Sequence, residues 1–268
     1  MNPRDDFRER LASLRRAARR SGKSPPAPPR DLAGLGGVVR DDGLFIVERT
    51  FGDLATGEEA AALAGRLDQA RTAERGRDDL HDEIRSLVRR PEGVVFVDTE
   101  TTGLSGNMVF LLGTMRIESG ALTLRQVFAR DYREEPALVD EWLRLLSGAR
   151  MLASFNGKSF DLPVLRDRVA MHGRTAPEEP LHVDLLHHAR RRWRGAFADC
   201  RLQTLEWRVC GRRRTGDIPG EEIPAAYHRF VRTGDPTDML TVFHHNALDL
   251  VTLADIAAAL TAPERRPA

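Results

Sequence analysis

Asp98 and Glu100 stand two residues apart at the end of an apolar run, Val94-Val95-Phe96-Val97. Side chains of a strand alternate faces with period two, so the two carboxylates face the same way. Neighbouring carboxylates repel each other unless a cation lies between them. An all-oxygen ligand set favours a hard ion, Mg²⁺ or Mn²⁺, over zinc. Gly103, in the Thr101-Thr102-Gly103-Leu104 that follows, lets the backbone turn closely, as a strand end facing a ligand needs. Asp-x-Glu alone would read as an acidic turn after an edge strand. With Thr-Thr-Gly-Leu attached, metal chemistry is the better reading.

Further acids follow downstream. Met151-Leu152-Ala153-Ser154-Phe155 reads as a strand, and Asn156-Gly157-Lys158-Ser159-Phe160-Asp161 places Asp161 in the first turn of a helix. Around His244-His245-Asn246-Ala247-Leu248-Asp249, the apolar residues Val242, Ala247, Leu248, Val251, Leu253 and Ala254 recur at helical spacing. Residues four apart on a helix are neighbours, so His245 lies one turn before Asp249 on the same side.

Asp98-Thr99-Glu100-Thr101-Thr102-Gly103-Leu104 resembles the first motif of the DEDD exonucleases, the DnaQ-like branch of the ribonuclease H-like superfamily. The segments around Asp161 and Asp249 resemble the second and third motifs. The likeness narrows to the YprB-like group (mitomycin repair factor B type). It is carried by Asn156-Gly157-Lys158-Ser159-Phe160-Asp161 and by Asp184-Leu185-Leu186-His187 with Arg190-Arg191-Arg192-Trp193. Cys200-Arg201-Leu202-Gln203-Thr204-Leu205-Glu206 and Asp217-Ile218-Pro219-Gly220 with Ile223, Pro224 and Tyr227 continue it in order. One departure is the loop after the first motif, glycine- and threonine-rich in the family but Ser105-Gly106-Asn107-Met108 here.

The resemblance implies a two-metal-ion-dependent 3′–5′ exonuclease that hydrolyses phosphodiester bonds in DNA, in DNA repair, with a helicase partner. By the same likeness, Asp98 bridges two Mg²⁺ or Mn²⁺ ions about 3.5–4 Å apart. Glu100 and Asp249 complete the tighter site, and Asp161 holds the second ion. DEDD enzymes carry as general base a Tyr four residues before the last Asp or a His five before. Here both positions are His, with His245 favoured and His244 the alternative. An ordinary His pKa of about 6.5 suits the role. Thr101, Gly103, Leu104, Asn156 and Lys158 are the expected nucleic-acid contacts. The alternative functions are an RNA-trimming exonuclease or oligoribonuclease, and a catalytically silent nucleic-acid- or partner-binding module. An endonuclease of the ribonuclease H or resolvase type ranks lower, since those relatives lack the His one turn before the last Asp.

Other residues read two ways. Asp184 is either an N-cap or an outer acid that supports the metal site. Asn156 is otherwise a turn residue before Gly157. Arg190-Arg191-Arg192 with Arg194, and Arg212-Arg213-Arg214, are either solvated helix faces or guanidiniums that track phosphates. His187 and His188 have no nearby Cys or carboxylate pattern for zinc and read as surface or core histidines.

The elements that must position these groups define an α/β fold, a ribonuclease H-like mixed β-sheet flanked by helices on both faces. Strands near 94–98, 108–117 and 121–129 form a meander, the last two joined by a Ser119-Gly120 hairpin turn. A helix near 134–148, a strand at 151–155, a helix at 159–172 and a short strand near 181–184 follow. A helical insertion is expected near 195–235. Upstream, 1–30 is a basic segment, helical over 4–20, with a Pro-rich linker. Residues 31–90 form an N-terminal leader with a strand at Leu44–Glu48 and helices at Gly57–Ala73 and Asp78–Arg89. The exonuclease domain spans 91–262, and 263–268 is a tail.

Composition adds little to the functional reading. The 41 basic and 40 acidic residues nearly cancel, so bulk charge does not announce a nucleic-acid partner. Only Lys23 and Lys158 are lysines, so almost every cation is a guanidinium. Cys200 and Cys210 show no metal or redox spacing, which fits buried thiols in a reducing compartment. No apolar run of 18 residues exists to cross a membrane. The N-terminus has no apolar signal core, so a cytoplasmic location is expected.

Overall fold

The computed structural model describes residues 32–50, 57–76, 80–103, 108–118 and 121–262. The expected 4–20 helix, the Pro-rich linker, Leu104, the Ser119-Gly120 turn and the 263–268 tail lie outside these residues. Seven strands form one mixed sheet: β1 (Val38–Val39), β2 (Phe45–Thr50), β3 (Val94–Thr101), β4 (Val109–Glu118), β5 (Ala121–Phe128), β6 (Met151–Ser154) and β7 (Leu181–Asp184). Their order is β1-β2-β5-β4-β3-β6-β7. The meander β3-β4-β5 is antiparallel as expected, and β6 and β7 join in parallel beyond β3. The described α-helices are α1 (Gly57–Ala73), α2 (Asp82–Arg89), α3 (Glu135–Gly148), α4 (Asp161–Met171), α5 (Leu185–Trp193), α6 (Leu202–Arg208), α7 (Ile223–Thr233) and α8 (Thr237–Ala259).

Helices cover both faces, and β3 shows why its sequence is apolar without alternation. Val95 and Val97 pack into a core with Leu138, Val139 and Trp142 of α3 and Leu162 and Leu165 of α4. Val94 and Phe96 pack into a second core with Leu250, Leu253 and Ala257 of α8 and Leu185 of α5. A strand buried on both faces reads as a continuous hydrophobic run. The same period-two geometry then sends Asp98 and Glu100 toward α8 and Thr99 toward α4. A register irregularity between Glu100 and Thr101 ends the regular pairing with β4.

Helix α8 belongs to both cores, with Met239, Val242 and Phe243 in the first and Leu250 onward in the second. The leader also joins this framework. β2 pairs with β5 in the register Phe45↔Phe128 and Ile46↔Val127. Helix α1 packs on α8, with Arg66 Nε 2.7 Å from Asp255 Oδ1. The 195–235 stretch holds α6, a short 3₁₀ turn at Gly220–Glu222 and α7, with an irregular segment over 209–219.

Candidate active site

Three elements bring four carboxylates to the C-terminal end of β3. Asp98 and Glu100 leave the strand, Asp161 opens α4, and Asp249 lies within α8. Asn246, three residues before Asp249 and on the same helix face, is fully buried. Its Nδ2 donates to Asp98 Oδ2 at 2.7 Å, and its Oδ1 accepts from Gln126 Nε2 at 2.9 Å. Gln126 Nε2 also donates to the Phe243 carbonyl at 2.8 Å, which fixes the direction of the whole amide chain. The amide fits because Gly113, paired with Asp98 across β4, has no side chain. A Cβ there would lie 2.1 Å from Asn246 Oδ1.

Asp161 is held from the other face of β3. Its Oδ1 accepts from the Thr99 backbone N at 3.1 Å and the Thr99 hydroxyl at 2.5 Å. The turn before it is tight. Asn156 has φ of 65°, a left-handed conformation in which Asn is enriched. A Cβ on Gly157 would meet Ser154 Oγ at 2.2 Å. Asp184 spans the two readings given to it. It caps α5 by accepting from Leu186 N at 3.1 Å. It also accepts from the backbone N of Asn156 at 2.8 Å and of Lys158 at 3.1 Å, so it braces the loop that presents Asp161.

His245 is buried beside Asp249, its Nε2 3.5 Å from Asp249 Oδ2. Its Nδ1 lies 2.9 Å from each oxygen of Asp217. His244, one residue earlier, is exposed. Arg214 ion-pairs with Asp249, approaches Asp217 at 3.1 Å and is held by Glu206 Oε2 at 2.5 Å from its Nε. Asp217 and Glu206 had no assigned role from local sequence, and like Arg214 they reach the site by folding of the irregular 209–219 segment and α6. The solvated-helix-face reading of Arg212-Arg213-Arg214 is corrected here. The segment is not helical, and Arg212 pairs with Asp255 as Arg214 pairs with Asp249.

The remaining expected contacts scatter around this centre. The Thr101 hydroxyl donates to the Gly103 carbonyl at 2.9 Å, and Gly103 takes a φ of 144°. Lys158 is exposed, with its ammonium close enough to Glu83 and His182 to affect both. His187, Arg190, Arg191 and Arg194 line a depression of about 520 Å³ on α5 and its end. His188 is buried, and its Nε2 meets Glu83 Oε2 at 2.7 Å, with the His81 ring 4.7 Å away. Nothing in the sequence around His188 points to that carboxylate, which arrives from α2. Cys200 and Cys210 flank α6 as free thiols, and burial pushes Cys210 up to about 12, an unreactive thiol.

The four acids share one electrostatic field. Burial raises Asp98 well above the usual carboxylate range, and the charges of Asp249, Glu100 and Asp161 add to it. Burial likewise raises Glu100, helped by Asp249, Asp161 and Asp217. Burial lifts Asp161 to about 6 against the hydrogen bonds from Thr99. Asp249 is raised by burial and held back chiefly by Arg214. Such a donor set, oxygen-only and short of cations, fits hard divalent ions. Among the described residues, only His81, Glu83 and His188 bring three ligand atoms within 4.8 Å of one another. The acids stand farther apart. That imidazole-rich trio has the ligand chemistry of zinc rather than of Mg²⁺.

Comparison with known proteins places these observations. An uncharacterised protein, YprB of Bacillus subtilis (strain 168), is 36% identical over 166 residues, 60% of this chain and 40% of that relative. The chain thus spans well under half of the relative it matches. A family B DNA polymerase from the hyperthermophilic archaeon Pyrobaculum calidifontis superposes with a TM-score of 0.51 at 16% identity, over 61% of this chain and 24% of the polymerase. That similarity speaks for the fold alone. No helix of the described residues is long and apolar enough to cross a membrane. The family model of the RNase_H superfamily matches residues 95–261, from inside β3 to just past α8, and so encloses all four carboxylates. With that span matched, and the ribonuclease H-like sheet around it, the chain belongs to the RNase_H superfamily as a YprB-like member.

Proposed function

We propose that this protein is a metal-dependent 3′–5′ exonuclease of the DEDD type acting on DNA. The observation that carries the reading is a half-buried quartet of carboxylates, short of cations, beside a histidine held between two acids. Asp98, Glu100, Asp161 and Asp249 would hold two divalent ions, which when bound supply Lewis acidity to the phosphate and ease deprotonation of a water. Asn246 aims Asp98, Thr99 aims Asp161 and Arg214 aims Asp249, so the protein fixes each ligand before substrate arrives.

His245 is the general base in this reading. With Asp217 accepting the Nδ1 proton, Nε2 keeps its lone pair and takes the proton of the attacking water. The water oxygen bonds to phosphorus, the P–O3′ bond breaks, and a 5′-phosphorylated nucleotide leaves a strand shorter by one. The role in repair and a helicase partner that exposes the strand rest on the family likeness.

A time course with 5′-labelled single-stranded DNA, duplex DNA and matched RNA, each in Mn²⁺, Mg²⁺ or EDTA, tests this reading. A ladder shortening from the 3′ end in metal and absent from Asp98→Ala is expected. A ladder on RNA alone would move the substrate to RNA. No cleavage of any strand would overturn the reading in favour of a silent binding module.

A further inference from the structure

The segment Arg212-Arg213-Arg214 alternates, as an extended chain does. Arg212 turns inward to Asp255, and Arg214 turns inward to Asp249. Arg213 turns outward, and its guanidinium carbon lies 4.0 Å from the ring centroid of Trp207. Arg208, at the end of α6, lies 3.6 Å from the same centroid. Neither Arg208 nor Arg213 has a carboxylate partner among the described residues, whereas both neighbours of Arg213 do. Trp207 itself is 38% exposed, unusual for so large an apolar ring.

Trp207 and Arg213, joined by Arg208 through the Trp207 ring, line an open depression of about 690 Å³. Its lining runs from Trp207 and Arg213 to Arg214 and Asp217, the residues that hold Asp249 and His245. A guanidinium stacked by its face on an indole is held by cation–π attraction. Its N–H donors lie in the plane and stay free for a planar, bidentate anion. Two such forks, preorganised and not neutralised, stand on one indole, and Arg213 shares its depression with Arg214 and Asp217. Phosphodiester oxygens are the anion that suits them.

We propose that Arg208, Arg213 and Trp207 form a phosphate clamp for the nucleic-acid strand that enters the site. The clamp rests on the nuclease reading above and names the strand contact beyond the scissile bond. Trp207 sets the geometry, and the two arginines carry the charge.

The test is binding of a short 5′-fluorescein oligothymidylate to the full chain in Ca²⁺, across a salt series. Arg208→Ser/Arg213→Ser should weaken binding about tenfold and flatten the salt dependence by about 1.4, since each phosphate contact on a single strand contributes roughly 0.7. Trp207→Leu, with both charges kept, should also weaken binding. Arg232→Ser, an equal loss of an exposed charge on α7, should bind about as well as wild type. A double variant that binds like Arg232→Ser would overturn the clamp. Cleavage is read separately in Mn²⁺. A wild-type chain that binds through the clamp but cuts no strand sinks the nuclease reading alone, and one that cuts while the variants bind normally sinks the clamp alone.

Discussion

Two sites in this molecule take carboxylates out of bulk water, one fully and one in part, and they differ in what accompanies the charge. Glu135, at the start of α3, is 2% exposed and fully answered. Arg168 Nε meets its Oε1 at 2.6 Å, His172 Nε2 meets Oε2 at 2.9 Å, and Val109 N donates at 3.0 Å. At the end of β3, among the described residues, Asp249 alone of Asp98, Glu100, Asp161 and Asp249 is ion-paired to a guanidinium, that of Arg214, which also serves Glu206 and Asp217. Glu135 is the more deeply buried, so burial is not the mark of function. The mark is a charge imbalance that the fold maintains, because a site built only for stability would pair or remove those charges.

The contrast can be broken from either side. Asp249→Asn should lower cleavage on the order of 10³-fold or more, the several kcal/mol that a lost Lewis acid represents. Urea unfolding in EDTA should find the variant at least as stable as wild type, because repulsion is relieved; activity within about tenfold of wild type would refute the assignment. Glu135→Gln should do the reverse, costing about 3–5 kcal/mol of stability by stranding buried Arg168, with cleavage per folded molecule nearly unchanged. An undiminished urea midpoint would show that this pair is dispensable.

Finer effects sharpen the same comparison. Asp217→Asn should reduce cleavage about 10–100-fold by freeing the His245 ring, with metal affinity nearly intact. A loss of metal binding in that variant would make Asp217 a ligand rather than an orienting group. A pH effect follows from Asp161. Its folded pKa of about 6 lies above the unfolded value, so the native state holds the extra proton between them. The contribution of Asp161 to the stability of the metal-free protein, wild type minus Asp161→Asn, should therefore fall as pH rises from about 4 to 6, while His182, depressed to about 4 by burial, acts in the opposite sense in both proteins. Added Mn²⁺ should restore it, more at the upper end. Thermal unfolding of wild type and Asp161→Asn in EDTA and in Mn²⁺ across that range reads the sign, and a wild-type-minus-variant difference that rises with pH in EDTA would contradict it.

Sequence resolved what depends on short-range geometry. The Asp98/Glu100 pair follows from period two, and the His245–Asp249 pair from helical spacing, and both stand where that geometry puts them. β2, α1 and the β3-β4-β5 meander also lie close to their expected ranges. Tertiary partners were not legible. Asp217 stands 28 residues from His245 in an irregular segment without periodicity. Arg214 sits in a run of like charges that normally signals a solvated face, yet it is buried against Glu206 and Asp249. Asn246 was adjacent to a favoured residue, but its meaning depends on Gln126 in β5 and on the missing side chain at Gly113 in β4.

Helix α8 carries Asp249 and the amide that aims Asp98, and it also closes both hydrophobic cores. Ribosomes issue a chain from its N-terminus, so every strand of the sheet is made before this helix emerges. A nascent chain therefore holds Asp98, Glu100 and Asp161 without the fourth acid, while each face of the sheet still lacks its shared cover. Completion of the fold and assembly of the centre are one event. A chain that stops short of α8 lacks Asp249, Asn246 and the apolar face that α8 gives to both cores.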